Sequence, residues 1–240
     1  MKNQYFGDIG DYGKYGLLRF LGERGLSIAV NWYLTPDDVS NDGNIRGYLS
    51  KKKDRRYDPE LYDALREMCA HEEKDVRLFA KRGMIHGANY HDDIVEPVPG
   101  SSLSVPEKRA ARERWHRKAL KACAGAELVF MDPDNGLRPG CPSARKDAPK
   151  FVYASEVCDY YDRDQDVVYY CHKGRRTDMQ WERGKAHYAG MPPGSHTDGR
   201  DLSSGHAAQL HIYGASRKER SISEAAERLS GDGMEGLLYR

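Results

Sequence analysis

The sequence has little of several features that would assign it to a class of protein. Its five cysteines are odd in number and widely separated, so they indicate neither a disulfide framework nor a paired zinc site. No apolar run approaches the roughly 20 residues of a membrane span, and the first residues contain no secretory hydrophobic region. The formal net charge is only +1, which gives no overall attraction to nucleic acid or to a membrane. These absences predict a cytoplasmic protein without a membrane partner.

Motifs that would identify a cofactor or a nucleophile are missing as well. No Gly-x-Ser-x-Gly elbow marks a hydrolase serine. Lys14 is followed by Tyr15 where a phosphate-binding loop needs Ser or Thr, and no predicted strand precedes this segment. His86 and His91 lack the helical spacing of a zinc pair. The sequence therefore predicts no cofactor and no metal site.

What the chain does contain is an alternation of strand and helix patterns. Four apolar runs predict strands: residues 26–34, 128–131, 166–172 and 208–213. Ser104 and Glu107 form a capping-box pattern for a basic helix from about Val105 to Ala122. The alternation predicts one α/β domain over residues 1–240, with a single doubly wound, mainly parallel sheet flanked by helices.

A glycine-rich arm is expected ahead of the sheet. Its glycines recur every third residue, at Gly7, Gly10, Gly13 and Gly16. Because glycine lets the backbone approach a ligand closely, we expect this arm to present Asp8, Asp11 and Lys14 to a phosphate or a sugar. Asp11 is the expected N-cap of the helix that follows. The alternative is a flexible arm that only packs on the sheet.

The most informative segment is the strand 128–131 and the polar residues directly after it. Ligands of open α/β sheets bind outside the carboxyl ends of the strands, where Asp132, Asp134 and Asn135 are expected. Two carboxylates and a carboxamide suit a site that binds a nucleobase and does chemistry beside it, so these three are the predicted catalytic residues. The alternatives are an ordinary turn and a Mg²⁺ site formed by the two aspartates and substrate phosphates.

Two other strand ends carry polar or aromatic residues and are expected at the same edge. Asn135, or alternatively Asn31, is expected to pair with a base edge, and Trp32 or Tyr33 to stack on an extruded base. The strand 166–172 leads into four candidate nucleic-acid contacts: His172, Lys173, Arg175 and Arg176. Alternatively, Trp32 and His172 belong to the core.

The basic helix is expected to have a wide positive face. The residues assigned to that face are Lys108, Arg109, Arg112, Arg114, Arg117, Lys118 and Lys121. Such a face can hold a nucleic-acid backbone, although it is more often simply solvated. The active site is not expected there.

Two resemblances extend this interpretation. The Gly10–Lys14 segment and Asp132-Pro133 resemble the adenine-N6 methyltransferases of large-subunit ribosomal RNA, whose motif is Asp-Pro-Pro-Tyr. Here Asp134-Asn135 replaces Pro-Tyr, and Asn31-Trp32 stands where a glycine-rich loop holds S-adenosylmethionine. The whole chain, with its Gly7–Gly16 start, its Asn31–Thr35 segment and its Asp132–Gly136 segment, also resembles a group of bacterial proteins. That group is in turn similar to single-gene phage-defence DNA glycosylases that excise glucosylated hydroxymethylcytosine. That resemblance implies hydrolysis of an N-glycosidic bond in phage DNA, without a cofactor.

The residues suit that reaction, because an oxocarbenium-like sugar is stabilised by a nearby carboxylate, which Asp132 or Asp134 would supply. We therefore expect a DNA glycosylase with phage DNA as its partner. Three alternatives stay open: an S-adenosylmethionine-dependent methyltransferase, a Mg²⁺-dependent nuclease or phosphohydrolase, and a binding module without activity.

Overall fold

The structure is a computed structural model. It describes residues 1–39, 45–71, 74–171, 177 and 179, and it describes the backbone alone of residues 172 and 208–213. Its helices are α1 (Ile9–Glu23), α2 (Pro59–Ala70), α3 (Arg77–Lys81), α4 (Val105–Ala122) and α5 (Ala154–Tyr161). Its strands are β1 (Ile28–Asn31), β2 (Asn89–His91), β3 (Leu128–Met131), β4 (Leu137–Arg138), β5 (Val152–Tyr153), β6 (Asp166–His172) and β7 (Ala208–Tyr213). Short 3-10 helices cover Asn3–Tyr5, Gly47–Ser50, Asp54–Arg56 and Ala148–Lys150.

The five main strands form one sheet in the order β2-β1-β3-β6-β7. The first four strands are parallel to one another, and β7 pairs with β6 in the antiparallel direction. Strands β4 and β5 form a separate parallel pair. The predicted α/β fold with a mainly parallel sheet is therefore confirmed.

Both faces of the sheet are covered, because side chains of a strand alternate between its faces. Val30 and Phe130 pack with α1 and α2 in one apolar cluster. Ala29 and Val129 pack on the opposite face, with Trp115 of α4. Strands buried on both faces have continuous apolar sequences, as Leu128–Met131 does. Among the helices of the described residues, none is both long and apolar enough to cross a membrane.

The expected glycine-rich arm is in fact the first half of α1, so that prediction is wrong. Asp8, and not Asp11, is the N-cap, and its side chain accepts a hydrogen bond from the Asp11 backbone N–H. Asp11 lies inside the first helical turn. The cap and the apolar residues that follow outweigh the cost of interior glycines, which is about 1 kcal/mol each relative to alanine.

The strand 26–34 is also shorter than expected, since β1 ends at Asn31. Residues 32–34 leave the ladder, and Tyr33 has a positive φ of 46°. The chain is nevertheless tied to the loop after β2, because Leu34 pairs with Ile94 in an isolated parallel bridge. Residues 32–34 are buried beside this bridge.

Gly136 closes the turn after β3, and its substitution tests how closely the backbone of this turn packs against β6. Its φ is +91°, and a Cβ atom there would lie 2.3 Å from the Cys171 Sγ atom. We expect Gly136→Ala to lower the free energy of unfolding by about 2–5 kcal/mol, which combines left-handed strain with overpacking. Gly140, at φ +76° with open space around it, is the control, and Gly140→Ala should lose only about 1–2 kcal/mol. Equal losses in urea denaturation would contradict this explanation.

Candidate functional site: a buried charge cluster

The candidate site lies at the carboxyl ends of the parallel strands. The last residue of β1, Asn31, is in register with Met131, and Met131 is in register with Tyr169 of β6. The Asp132 N–H donates a hydrogen bond to the Asn31 carbonyl, which places the residue after β3 directly beside the end of β1. The strand ends thus form one edge, which we call the carboxyl edge.

A group of ionisable side chains from three elements meets at this edge. The Lys14 Nζ atom lies 2.8 Å from an oxygen of Asp11 and 2.8 Å from an oxygen of Asp132. It also lies 4.6 Å from the ring centre of Tyr170. Asp8, one turn before Asp11, completes the group, which we call the buried charge cluster. It consists of Asp8, Asp11, Lys14, Asp132 and Tyr170.

The helix spacing explains how the cluster forms. Asp8, Asp11 and Lys14 are three residues apart, so they lie on one side of α1. Asp132 reaches this side because it follows Met131, which points to the opposite face of the sheet. Asp11 is held further by the Gly7 N–H, which donates to its second oxygen at 2.8 Å.

The cluster holds three carboxyl groups and one ammonium group, and this imbalance determines the protonation state. Burial lowers the pKa of Lys14, but the charges of Asp11 and Asp132 outweigh burial and raise that pKa well above its ordinary value. Burial and the charge of Asp11 together raise the pKa of Asp8 to about 7. At neutral pH the cluster therefore offers a protonated carboxyl group beside an ion-paired carboxylate.

Solvent reaches the cluster on the side of Asp8 and Tyr170. Asp11, Lys14 and Asp132 are buried, whereas Asp8 and Tyr170 are only partly so. Between them lies Gly10, where a Cβ atom would come within 3.1 Å of an Asp8 oxygen and 3.3 Å of the Tyr170 hydroxyl oxygen. The absence of a side chain at Gly10 therefore lets Asp8 and Tyr170 pack closely against the backbone of α1.

Asp134 does not share a cation with Asp132. One of its oxygens lies 2.9 Å from the amino group of Met1, and the other accepts a hydrogen bond from the Thr35 hydroxyl at 2.8 Å. Burial alone would raise the pKa of Asp134, but the Met1 amino group and Thr35 outweigh it, and the pKa is lowered. The same amino group donates to the carbonyl of Asp132 at 2.8 Å. Asp134 thus stabilises the turn that carries Asp132.

Asn31 is fully buried and its amide group is occupied by protein partners. It donates to the Tyr160 hydroxyl at 3.2 Å, and its oxygen lies 3.2 Å from Nδ1 of His91. Burial lowers the pKa of His91 to about 4, so its ring is neutral and donates through Nδ1. The amide therefore contributes to the core of the sheet, and its predicted contact with a base edge would require these bonds to break.

Trp32 and Tyr33 are also fully buried. The Trp32 ring packs between Tyr15 and Tyr90, at centroid distances of 5.6 and 6.0 Å. The Tyr33 hydroxyl donates to Glu156 at 3.2 Å. Neither ring offers an open face to a base in this structure, so the alternative interpretation of Trp32 as a core residue is the one that the structure matches.

The other predicted contacts are distributed differently. Asn135 is partly exposed in the turn after Asp132, and its backbone N–H donates to the Lys150 carbonyl. His172 ends β6, and its side chain lies outside the described residues. The same is true of Lys173, Arg175 and Arg176.

One residue of the expected positive face of α4 points inward, which corrects that prediction. Arg112 is buried and donates to both oxygens of Glu156, at 2.7 and 2.9 Å, and to the Phe151 carbonyl. Helical spacing placed it on the outer face, but a partner 44 residues later in the chain supplies the compensating charge. Tyr170 is a member of the cluster that the sequence did not predict, because a tyrosine within a strand carries no sign of a cation beside it.

Across the described side chains of residues 1–39, 45–71 and 74–171, no three from His, Cys, Asp or Glu are placed to hold a metal ion together. The ammonium group of Lys14 supplies the positive charge that lies between Asp11 and Asp132.

Comparison with known proteins gives no family and no relative: no family model matches the chain, and no curated protein matches it significantly. A function is therefore inferred from the chemistry of the buried charge cluster.

Proposed function

We propose that this protein is a DNA glycosylase, which hydrolyses the N-glycosidic bond of a modified base in DNA as a defence against phage. The observation that carries the proposal is the pairing of Asp8, with a pKa of about 7, and the Asp132 carboxylate beside Lys14. One group can donate a proton at neutral pH and the other can stabilise positive charge. Both lower the barrier to removal of a base by hydrolysis.

The two acids have different parts in the proposed reaction. As the bond between C1′ and the base nitrogen breaks, its electrons leave with the base, and the Asp8 carboxyl group donates a proton to the departing base. The Asp132 carboxylate stabilises the oxocarbenium-like sugar and accepts a proton from the attacking water, whose oxygen bonds to C1′. Lys14 is a positioning residue, since its ammonium group holds Asp132 at 2.8 Å.

The burial of the cluster requires the nucleotide to leave the base stack. Asp132 is only 2% exposed, so a base within a duplex cannot contact its carboxylate, and an extruded nucleotide would do so only if the cluster opened. An extruded nucleotide would approach on the side of Asp8 and Tyr170, the partly exposed members of the cluster. Asn135, partly exposed in the turn after Asp132, is the proposed amide that reads the base.

An abasic-site assay tests the proposal. DNA containing glucosylated hydroxymethylcytosine is incubated with the protein, and strand breaks are counted before and after alkali, with unmodified DNA as the control. We expect alkali-labile sites in the modified DNA, and a decrease of about 10²–10⁴-fold in their rate of formation with Asp132→Asn. No alkali-labile sites on either DNA would refute the proposal.

Other outcomes of the same assay identify the alternatives. Breaks that form without alkali and disappear with EDTA would indicate a metal-dependent nuclease. Transfer of a labelled methyl group from S-adenosylmethionine would indicate a methyltransferase. DNA binding that Asp132→Asn leaves intact, with no product from the wild type, would indicate a binding module.

A further inference from the structure

A concave feature near the start of α4 takes no part in the proposed chemistry. It is a pocket of about 220 Å³. Its main lining residues are Pro97, Val98, Lys108, Arg145, Lys146 and Pro149. Lys108 belongs to the first turns of α4, whereas Arg145 and Lys146 belong to the loop after β4. We call it the basic pocket.

The charge of the basic pocket has one sign. Three of its lining residues are cations, and no lining residue among the described part of the chain is acidic. The acid next in sequence, Asp147, is engaged by Arg138 at 2.6 Å. The N-terminus of α4 is close by in sequence, at the Ser104 cap, and adds the positive end of an 18-residue helix. The pocket is therefore complementary to an anion such as a phosphate.

Several residues close in sequence to Pro97 and Val98 of this pocket have exposed apolar side chains. Of the seven large apolar side chains that are exposed in the described part of the chain, four lie within twelve residues: Ile94, Val98, Leu103 and Val105. Their exposed fractions run from 38% to 52%, and Val98 itself lines the pocket. We call residues 92–105 the apolar loop. These exposed side chains are available to contact a partner.

The topology places both features at the carboxyl edge. The apolar loop begins where β2 ends, at His91, and leads into the N-terminus of α4. The loop that carries Arg145 and Lys146 comes after β3 and Asp132 in the chain. It is tied to the turn after β3, because the Asn135 backbone N–H donates to the Lys150 carbonyl. The basic pocket thus shares an edge of the sheet with the buried charge cluster, although α4 and α1 cover opposite faces.

We propose that the basic pocket binds a backbone phosphate of a DNA duplex, while the apolar loop packs against sugars and bases beside it. A phosphodiester matches both the single-sign charge and the size of the pocket. Apolar side chains inserted at a base step unstack it, and that distortion favours extrusion of a nucleotide. The choice of DNA as the anion rests on the proposed function.

The test compares two triple variants that remove the same charge. In one, Lys108→Ser, Arg145→Ser and Lys146→Ser empty the basic pocket; in the other, Lys51→Ser, Lys52→Ser and Lys53→Ser remove an exposed basic run outside it. Binding of a fluorescent duplex is measured by anisotropy at several salt concentrations. Thermal unfolding of both variants, followed by circular dichroism, verifies that the fold is retained, and the reversal Arg145→Glu with Lys146→Glu serves as a second probe of the pocket.

We expect the pocket variant to raise Kd at least about tenfold and to reduce the slope of log Kd against log salt concentration by about 0.9 for each phosphate that it no longer neutralises. The control variant should change Kd less than about twofold. Equal effects of the two variants, or an unchanged Kd for the pocket variant and the charge reversal, would overturn the inference. So would pocket-dependent binding to vesicles of anionic lipid without binding to DNA.

The outcome is separable from that of the proposed function. Pocket-dependent DNA binding without base release would leave the docking surface in place and refute the glycosylase. Base release together with a pocket variant that binds DNA normally would do the reverse.

Discussion

Asp8→Asn is expected to slow base release by about 10²–10⁴-fold, because the variant cannot donate the proton that the departing base requires. The substitution is close to a pure test of chemistry. Asparagine is as good an N-cap as aspartate, so the hydrogen bond to the Asp11 N–H is retained in kind. The rate is measured as alkali-labile sites formed per minute.

The same residue predicts the pH dependence of the wild type. Because its pKa is raised to about 7, Asp8 is protonated below neutrality, and kcat/KM should fall as the pH rises through about 7. The stabilising effect of the proton that Asp8 binds is complete below the ordinary value of 3.8 and disappears as the pH rises to about 7. Asp8→Asn should therefore unfold at a higher denaturant concentration than the wild type at pH 8.

The control for the activity measurement is Asp58→Asn, at the N-cap of α2, where the side chain also accepts from a backbone N–H. It should leave base release unchanged. An Asp8→Asn variant with wild-type activity at pH 7 would contradict the role of Asp8 as the acid.

Lys14→Met is expected to lower the free energy of unfolding by about 3–5 kcal/mol at pH 7. The decrease arises because Asp11 and Asp132 are then buried without the cation that lies 2.8 Å from each. The deficit should shrink as the pH falls and Asp11, whose pKa is raised by burial, takes up a proton. Guanidinium denaturation at several pH values measures it.

An exposed ion pair of similar length provides the control. The Arg55 side chain lies 2.7 Å from Asp63, but both are well exposed, and such pairs contribute about 0–1 kcal/mol. Arg55→Met should therefore have little effect. In the double variant Lys14→Met with Asp132→Asn, part of the stability should return, since one uncompensated charge is gone. A decrease below about 1 kcal/mol for Lys14→Met would show that the cluster does not depend on its cation.

Local patterns in the sequence predicted much of the fold. Helix α4 has the predicted bounds, Val105 to Ala122, because its capping box and its Pro106 define the first turn within a few residues. Strand β6 has the predicted bounds, 166–172, because most of it is a continuous apolar run, as is typical of a strand covered on both faces. Each of these two predictions needed only the residues of the element itself and no knowledge of its tertiary contacts.

The candidate site depends on contacts between distant segments, and these were predicted only in part. The sequence placed Asp132 at a strand end, but not its ion pair with Lys14, 118 residues away. It indicated Asp8 as a contact to phosphate, although the raised pKa comes from burial and from Asp11. The sequence around Trp32 is equally consistent with a ring that stacks on a base and with one that fills the core. Only the packing of the ring in the structure distinguishes the two.

The central claim is that the buried charge cluster breaks an N-glycosidic bond, and product analysis tests it most directly. DNA with glucosylated hydroxymethylcytosine is incubated with the wild type and with Asp8→Asn, and the released material is identified by mass spectrometry. The account predicts free modified base, in amounts equal to the abasic sites, from the wild type and almost none from the variant. Release of nucleotides, or of methylated DNA without free base, would contradict it.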